Sequence, residues 1–312
     1  MRILVTGGAG FIGSNVADRF IALGHDVAVL DNLSTGRREN LDPRIRLYEA
    51  DLIDPDAVEK VVADFRPEIV DHHAAQVDVR HSVDHPAFDA RTNILGAIGL
   101  LEACVRHGVR KLIYASTGGA MYGEGRQLPA TEEHPVHPES PYGVSKMTVE
   151  HYVYCYRLLH QLDATVLRYP NVFGPRQNPH GEAGVNAIFI GLMCEGKAPT
   201  IFGDGEQVRD YLYIDDVVRA NELALTKGSG ETVNLGWGRG VSVNDIVRIL
   251  AELLGTTEPP IHAAARPGEV QRIYLDASRA KAVLGWEPQV TFEQGLAKTL
   301  EWYRAERAIG RR

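Results

Sequence analysis

GGAGFIG, Gly7 to Gly13, follows the apolar run Ile3 to Val5 and opens a stretch of helical periodicity that reaches about Leu23. Strand, glycine turn and helix together give such a motif its meaning. Glycine lets the turn close and the backbone approach a pyrophosphate, and the helix N-terminus offers unpaired N–H groups and a favourable dipole. Gly7, Gly10 and Gly13 are therefore expected at the phosphates of a dinucleotide, with Phe11 and Ile12 anchoring the helix on the sheet. Asp31 ends the next strand, about 20 residues on, where a carboxylate accepts hydrogen bonds from ribose hydroxyls and repels a 2′-phosphate, so NAD is expected over NADP. Arg37 and Arg38 oppose that reading only if their loop folds back; a solvated pair is the simpler account. Asn32 beside Asp31, and Asp51 and Leu52 after the third strand, are expected around the adenosine.

Working outward, strand-length apolar runs at Val27 to Leu30, Ile69 to Val70, Leu112 to Ala115 and Thr165 to Leu167 alternate with helical stretches at 11–23, 55–65, 86–108 and 140–161. That rhythm predicts an α/β fold with a Rossmann-type, doubly wound parallel sheet. Beyond Tyr169 the rhythm loosens. Pro170, Pro175, Pro179 and Pro199 punctuate the chain, Phe202 to Gln207 (FGDGEQ) reads as a turn between short strands, and helical patterns return at 215–227, 242–254 and 292–306, the middle one with Ser242 as N-cap. The expected division is an NAD-binding domain over 1–170, rejoined by about 210–237, and a smaller mixed α/β C-terminal substrate lobe over 171–312.

The 312 residues carry a net charge of −8, which disfavours nonspecific binding to nucleic acid or anionic membrane, since both need a basic face. Cys104, Cys155 and Cys194 are odd in number and far apart, as expected of reduced thiols in a cytoplasmic protein. No apolar run reaches the ~20 residues of a membrane helix. His72, His73, His81 and His85 lie close in sequence but without acidic partners at metal-ligand spacing, so no metal is expected. Trp237, Trp286 and Trp302 read as lobe packing.

Tyr142 and Lys146 stand four apart in a helical stretch and share one face. An ammonium so placed lowers the pKa of a phenol and can hold a nicotinamide ribose. A pair of this kind arises by chance too easily to prove anything alone; its weight comes from following a dinucleotide fold at the right place.

Taken together, GGAGFIG, Asp31, HAAQ (His73 to Gln76), Asn93, STGGAMYG (Ser116 to Gly123) and YGVSK resemble the extended short-chain dehydrogenase/reductase family. The resemblance continues through RYPNVFGPRQ (Arg168 to Gln177), RDYLYIDD (Arg209 to Asp216) and RPGE (Arg266 to Glu269), and so spans nearly the whole chain. It adds Ala74, Ala75, Gln76, Asn93, Ser116 and Tyr169 to the expected NAD contacts. Within the family the segments look most like the branch that inverts C4 of UDP-hexoses. This implies UDP-glucose and UDP-galactose as substrates, a resident NAD, Tyr142 as acid/base and a homodimer packed through the helices at 86–108 and 140–161. One departure stands out: the family's catalytic Ser or Thr falls at Gly118, leaving Thr117 as the favoured substitute if the double glycine forms a bulge, with water or backbone as the other source of that hydrogen bond. The carboxylates that the family's dehydratases and decarboxylases carry after this point are replaced by Gly118, Gly119 and Ala120, which leaves oxidation and re-reduction at C4.

For the UDP-sugar, the resemblance places Arg209 and Arg266 at the diphosphate, where a guanidinium fork bonds phosphate oxygens, with Asn171 and Asn186 beside them. Tyr211 and Glu269 are expected near the ribose, Phe202 near the uracil, Thr117, Gly118 and Tyr142 at the sugar, and Ile273 at the position that gates its 2-substituent. The alternatives are a 4-epimerase of UDP-N-acetylglucosamine or UDP-glucuronate, and a non-catalytic NAD(P)-binding regulator, against which the Tyr142–Lys146 pair counts.

Overall fold

A computed structural model describes residues 1–179, 184–266 and 270–308. In chain order the first part runs β1 (Arg2–Thr6), α1 (Phe11–Ala22), β2 (Asp26–Asp31), β3 (Arg46–Glu49), α2 (Pro55–Phe65), β4 (Ile69–His72), α3 (Val79–Asp84), α4 (Pro86–Ala90), α5 (Gly96–Arg106), β5 (Lys111–Thr117), α6 (Pro141–His160) and β6 (Asp163–Tyr169). The second part runs β7 (Asn171–Phe173), α7 (Val185–Cys194), β8 (Thr200–Phe202), β9 (Val208–Arg209), β10 (Tyr211–Tyr213), α8 (Ile214–Ala224), β11 (Thr232–Asn234), β12 (Val241–Ser242), α9 (Val243–Leu254), β13 (Ile261–Ala263), β14 (Arg272–Ile273), α10 (Ser278–Leu284) and α11 (Phe292–Ala308).

Seven strands form one all-parallel sheet in the order β11-β6-β5-β4-β1-β2-β3, so the expected doubly wound sheet is present and β11 closes one edge from late in the chain. The two faces of the sheet separate cleanly. Ile3, Val5, Ile69 and Ile113 pack toward one core with Val16 and Phe20 of α1 and Val217 of α8; Leu4, Val70, Leu112 and Tyr114 pack toward another with α2, α5 and α6. Strands buried on both faces need continuous apolar runs, which is why those runs were the readable signal.

The helix starts are written locally. Asp54 caps α2 by accepting from the Asp56 and Ala57 amides, with Pro55 at the first helical position, and Ser140 caps α6 in the same way, followed by Pro141. Ser242 caps α9 as expected, in a full capping box with Asp245. The stretch at 86–108 is not one helix. It divides into α4, a π-helical turn over Arg91–Leu95, and α5. The wide turn carries Asn93, and such turns concentrate at functional sites.

FGDGEQ is a turn as expected: Gly203 and Gly205 have φ of +79° and +80°, which favours glycine. Trp286 is fully buried and donates to the Asp216 carbonyl, in keeping with a packing role. The histidines are accounted for separately. His72 shares a 2.7 Å hydrogen bond with Thr6 and burial lowers its pKa to about 3, so it is neutral, while the His73 ring lies against Asp71 and stacks on Tyr169. Among the described residues no helix is long and apolar enough to cross a membrane.

Candidate active site

The glycine turn is built by contact as much as by conformation. Gly7 adopts φ +67°, and a Cβ there would stand 2.6 Å from the Ala74 nitrogen; a Cβ on Gly13 would stand 2.4 Å from the Gly7 carbonyl oxygen. Gly10 donates to that same carbonyl, and Phe11 and Ile12 begin α1 partly buried against the core. The turn is thus pressed between β1, β4 and its own helix, leaving the first amides of α1 at the carboxyl end of the sheet, the place where this fold binds a dinucleotide.

Asp31 closes the next strand, with one carboxylate oxygen accepting from the Ala9 amide at 2.9 Å and the other from the Leu33 amide at 2.8 Å. Each oxygen keeps a lone pair for a ribose hydroxyl. Asn32 donates to Asp51, whose other oxygen accepts from the Ile53 amide, so these residues form one short polar rim, while Leu52 is buried against Gly96. Arg38 pairs with Glu49 on the surface, the simpler of its two readings.

After β4, Ala74 donates to Thr6 and Gln76 is pinned by exchange with Asn93, its amide donating to the Asn93 oxygen and its carbonyl accepting from Asn93 Nδ2. Ala75 lies between, partly exposed on the same loop. Both amide side chains also donate to Asp89, a wholly buried carboxylate of α4 that sequence reasoning missed.

Tyr142 and Lys146 occupy the first turns of α6. Lys146 Nζ donates to the Ala115 carbonyl at 2.8 Å and lies 5.9 Å from the centre of the Tyr142 ring. Burial lowers the Lys146 ammonium to about 8, against the pull of Asp89 and Glu150. The Tyr142 phenol moves the other way from expectation: burial, with the Asp89 charge, raises it. The ammonium is bonded to a carbonyl and set back from the phenol, so it does not offset those two effects in the chain alone.

Thr117 ends β5 with its hydroxyl accepting from the Ala120 amide. The Gly118 and Gly119 amides both point at one carbonyl, that of Tyr169, at 2.8 and 3.3 Å, so two residues face one and the strand end bulges. A Cβ at Gly118 would stand 2.4 Å from Leu275 Cδ1, so a side chain there requires the leucine to move. Leu275 is itself held by Asp210, whose buried carboxylate accepts from the Leu275, Trp237 and Gly238 amides and is pushed up to about 7 by burial.

On the lobe side, Asn171 faces Gly119, and Asn186, in the first turn of α7, has a buried side-chain oxygen without a hydrogen-bond partner among the described residues. The Arg266 guanidinium lies 3.7 Å from the centre of the Phe202 ring, and Arg209 donates to the Val208 and Gln271 carbonyls. Glu269 lies outside the described residues.

Four of the expected site residues have described partners within the protein. Ser116 shares a strand face with Tyr114 and donates to Glu150, which forks onto Arg168; strand alternation turns it toward α6. The Tyr169 hydroxyl is bonded to Asn221 within the core. Tyr211 packs edge-on with Phe173 and against Phe292, and Ile273 is buried with Tyr122 and Leu275.

A dinucleotide turn beside a Tyr–Lys pair four residues apart defines a nicotinamide-dependent fold of the short-chain dehydrogenase kind. The chain belongs to the NAD dependent epimerase/dehydratase family, whose profile matches residues 3–236. It is 45% identical to a putative UDP-glucose 4-epimerase of Methanocaldococcus jannaschii, over 97% of this chain and 98% of that one. Among solved structures it is similar to the UDP-glucose 4-epimerase of Thermotoga maritima with UDP-glucose (TM-score 0.96, 50% identity, 98% and 99% of the two chains). It is likewise similar to that of Thermus thermophilus in complex with NAD (TM-score 0.93, 44% identity, 97% and 99%).

Proposed function

We propose that this protein interconverts UDP-glucose and UDP-galactose by transient oxidation at C4, with NAD as its cofactor. The observation that carries the reading is the Tyr142–Lys146 pair set at the end of β5, next to a wall of Thr117, Gly118, Gly119 and Ala120 that holds no carboxylate for elimination or decarboxylation. The glycine turn, Asp31, Asn32, Asp51 and the Ala74–Gln76 loop with Asn93 hold the dinucleotide. NAD, when bound, would supply a reversible acceptor for the C4 hydrogen with its electron pair. Tyr142 takes the proton of the sugar 4-hydroxyl and returns it from the other side of the cycle, Lys146 keeps an ammonium in the site below about pH 8, and Thr117 donates to the same sugar oxygen. Arg209, Arg266, Asn171, Asn186 and Phe202 support a UDP moiety.

Incubation of the purified protein with UDP-galactose should yield UDP-glucose without added reductant. Turnover of UDP-N-acetylglucosamine or UDP-glucuronate in its place would move the substrate; turnover of none would overturn the reading.

Thr117→Val keeps the shape and removes the hydroxyl. It should lower kcat about ten- to hundred-fold, the worth of one hydrogen bond to a charged oxygen, and Thr117→Ser should restore most of it. Unchanged kcat would leave Tyr142 as the sole proton handler.

A homodimer through the segments at 86–108 and 140–161 is part of the proposal. Leu158 and Leu159 are 60% and 75% exposed, and Phe88, Leu95, Val144 and Tyr152 are exposed on the same two segments, which suits a surface covered by a second copy. Light scattering should return twice the 34.3 kDa chain mass; a single chain mass would remove this part.

A further inference from the structure

Asp89 stands out among the buried groups because no step of the proposed reaction uses it. Its carboxylate is fully buried and hydrogen-bonded by neutral donors only: Gln76 Nε2 and Asn93 Nδ2 reach one oxygen at 3.0 Å each, and Ser145 Oγ reaches the other at 2.5 Å. Two of those donors belong to the loop and the wide turn expected at the dinucleotide; the third immediately precedes Lys146 on α6. A single buried charge therefore ties three segments of the site together. We propose that Asp89 is a positioning residue, which locks the cofactor loop to the catalytic helix and sets the electric field in which Tyr142 and Lys146 titrate.

Burial of a carboxylate with no cation beside it is costly, and here the three neutral donors, which would be left unsatisfied without it, offset that cost. Around it α6 presents Tyr142, Lys146 and Glu150, β5 presents Tyr114 and β4 presents His72, while the His81 and His85 rings of the α3–α4 corner lie 4.6 Å apart at a tilt of 46° and His81 meets Phe88 edge-on. Glu150 is neutralised by the fork of Arg168, and His72 is uncharged. That leaves Asp89 as the negative charge the pair feels most: it is the leading charge acting on both, raising the phenol and the ammonium together. A shared rise keeps the ammonium available toward neutral pH at the expense of a more reluctant phenol.

The inference rests on the epimerase reading of Tyr142 and Lys146, so its test has readouts that do not need turnover. Asp89→Asn is isosteric and can keep all three contacts, with the Ser145 hydroxyl accepting where it now donates, so it removes charge alone. Competitive acetylation of Lys146, followed by mass spectrometry across pH, should show its midpoint about one unit lower than in the parent protein, and the whole pH profile of epimerisation should move to lower pH by a similar amount. Ser145→Ala, which keeps the charge, should leave the midpoint in place. Asp89→Ala, which breaks the lock, should lose bound NAD at least ten-fold relative to Asp89→Asn. If the Asn variant does not fold, Asp89→Ser carries the same midpoint test. An unmoved Lys146 midpoint in the charge-removing variant, or full NAD retention in Asp89→Ala, would overturn the proposal. A parent protein that epimerises nothing would instead remove the proposed function, with the midpoint and NAD measurements still deciding the role of Asp89.

Discussion

Tyr142→Phe should lower the rate of UDP-galactose conversion by about 10²–10⁴-fold, the range lost with a general acid/base, while the protein stays folded and loaded with NAD. The substitution removes one oxygen and leaves the ring, which is partly buried at the start of α6, and the backbone hydrogen bond from the Tyr142 amide to Ser82 is untouched. The magnitude follows from what remains. Lys146 keeps its bond to Ala115 and Thr117 keeps its hydroxyl, so binding and orientation survive while the phenol proposed to take the proton is gone. Rates measured by a coupled UDP-glucose assay, with NAD content determined on the same sample, separate the two effects. A variant within a few-fold of the parent, with NAD retained, would exclude Tyr142 as the base.

How much of this was legible depended on whether a feature is local in the chain. The glycine turn, the Asp31 strand end, the Ser242 cap and the four-residue spacing of Tyr142 and Lys146 are each written within one element or one turn, and the structure places them as the spacing implies. Side-chain direction was harder. Ser116 and Thr117 are neighbours, yet strand alternation sends one to Glu150 beneath α6 and leaves the other at the bulge. Tyr211 sits inside a motif associated with substrate but turns into the aromatic cluster of Phe173 and Phe292. Asp89 and Asp210 could not be found at all from pattern: an acidic residue in a short amphipathic segment reads as a solvated face, and only the fold shows that each carboxylate is buried and collects donors from distant segments. The Gly118 departure became intelligible for a similar reason, since Leu275, more than 150 residues later, occupies the space where a side chain would go.

Gly13→Ala should strip the protein of its NAD, although the residue lies inside a helix where alanine is ordinarily the better choice. Two effects oppose one another. Alanine gains about 0.8–1 kcal/mol over glycine in a helix interior. Against that, its Cβ would stand 2.4 Å from the Gly7 carbonyl oxygen and 2.8 Å from Gly8 Cα, and both obstacles are backbone. Overpacking a well-packed site costs about 1–3 kcal/mol when neighbours can yield. Here the neighbour that must yield is the turn itself, and Gly7 is already pressed on its far side against Ala74. The helix start and the turn must therefore part, which displaces the amides of α1 from the phosphates while most of the sheet, buried on both faces, stays formed. The expected result is a folded protein with bound NAD reduced at least ten-fold and a new dependence of activity on added NAD. Gly24→Ala is the comparison: unlike Gly13 it has a left-handed φ, +79°, but open space around its Cβ, so backbone strain of about 1–2 kcal/mol should lower stability without touching cofactor content. Stoichiometric NAD in purified Gly13→Ala would mean that the turn does not hold the dinucleotide through its close packing.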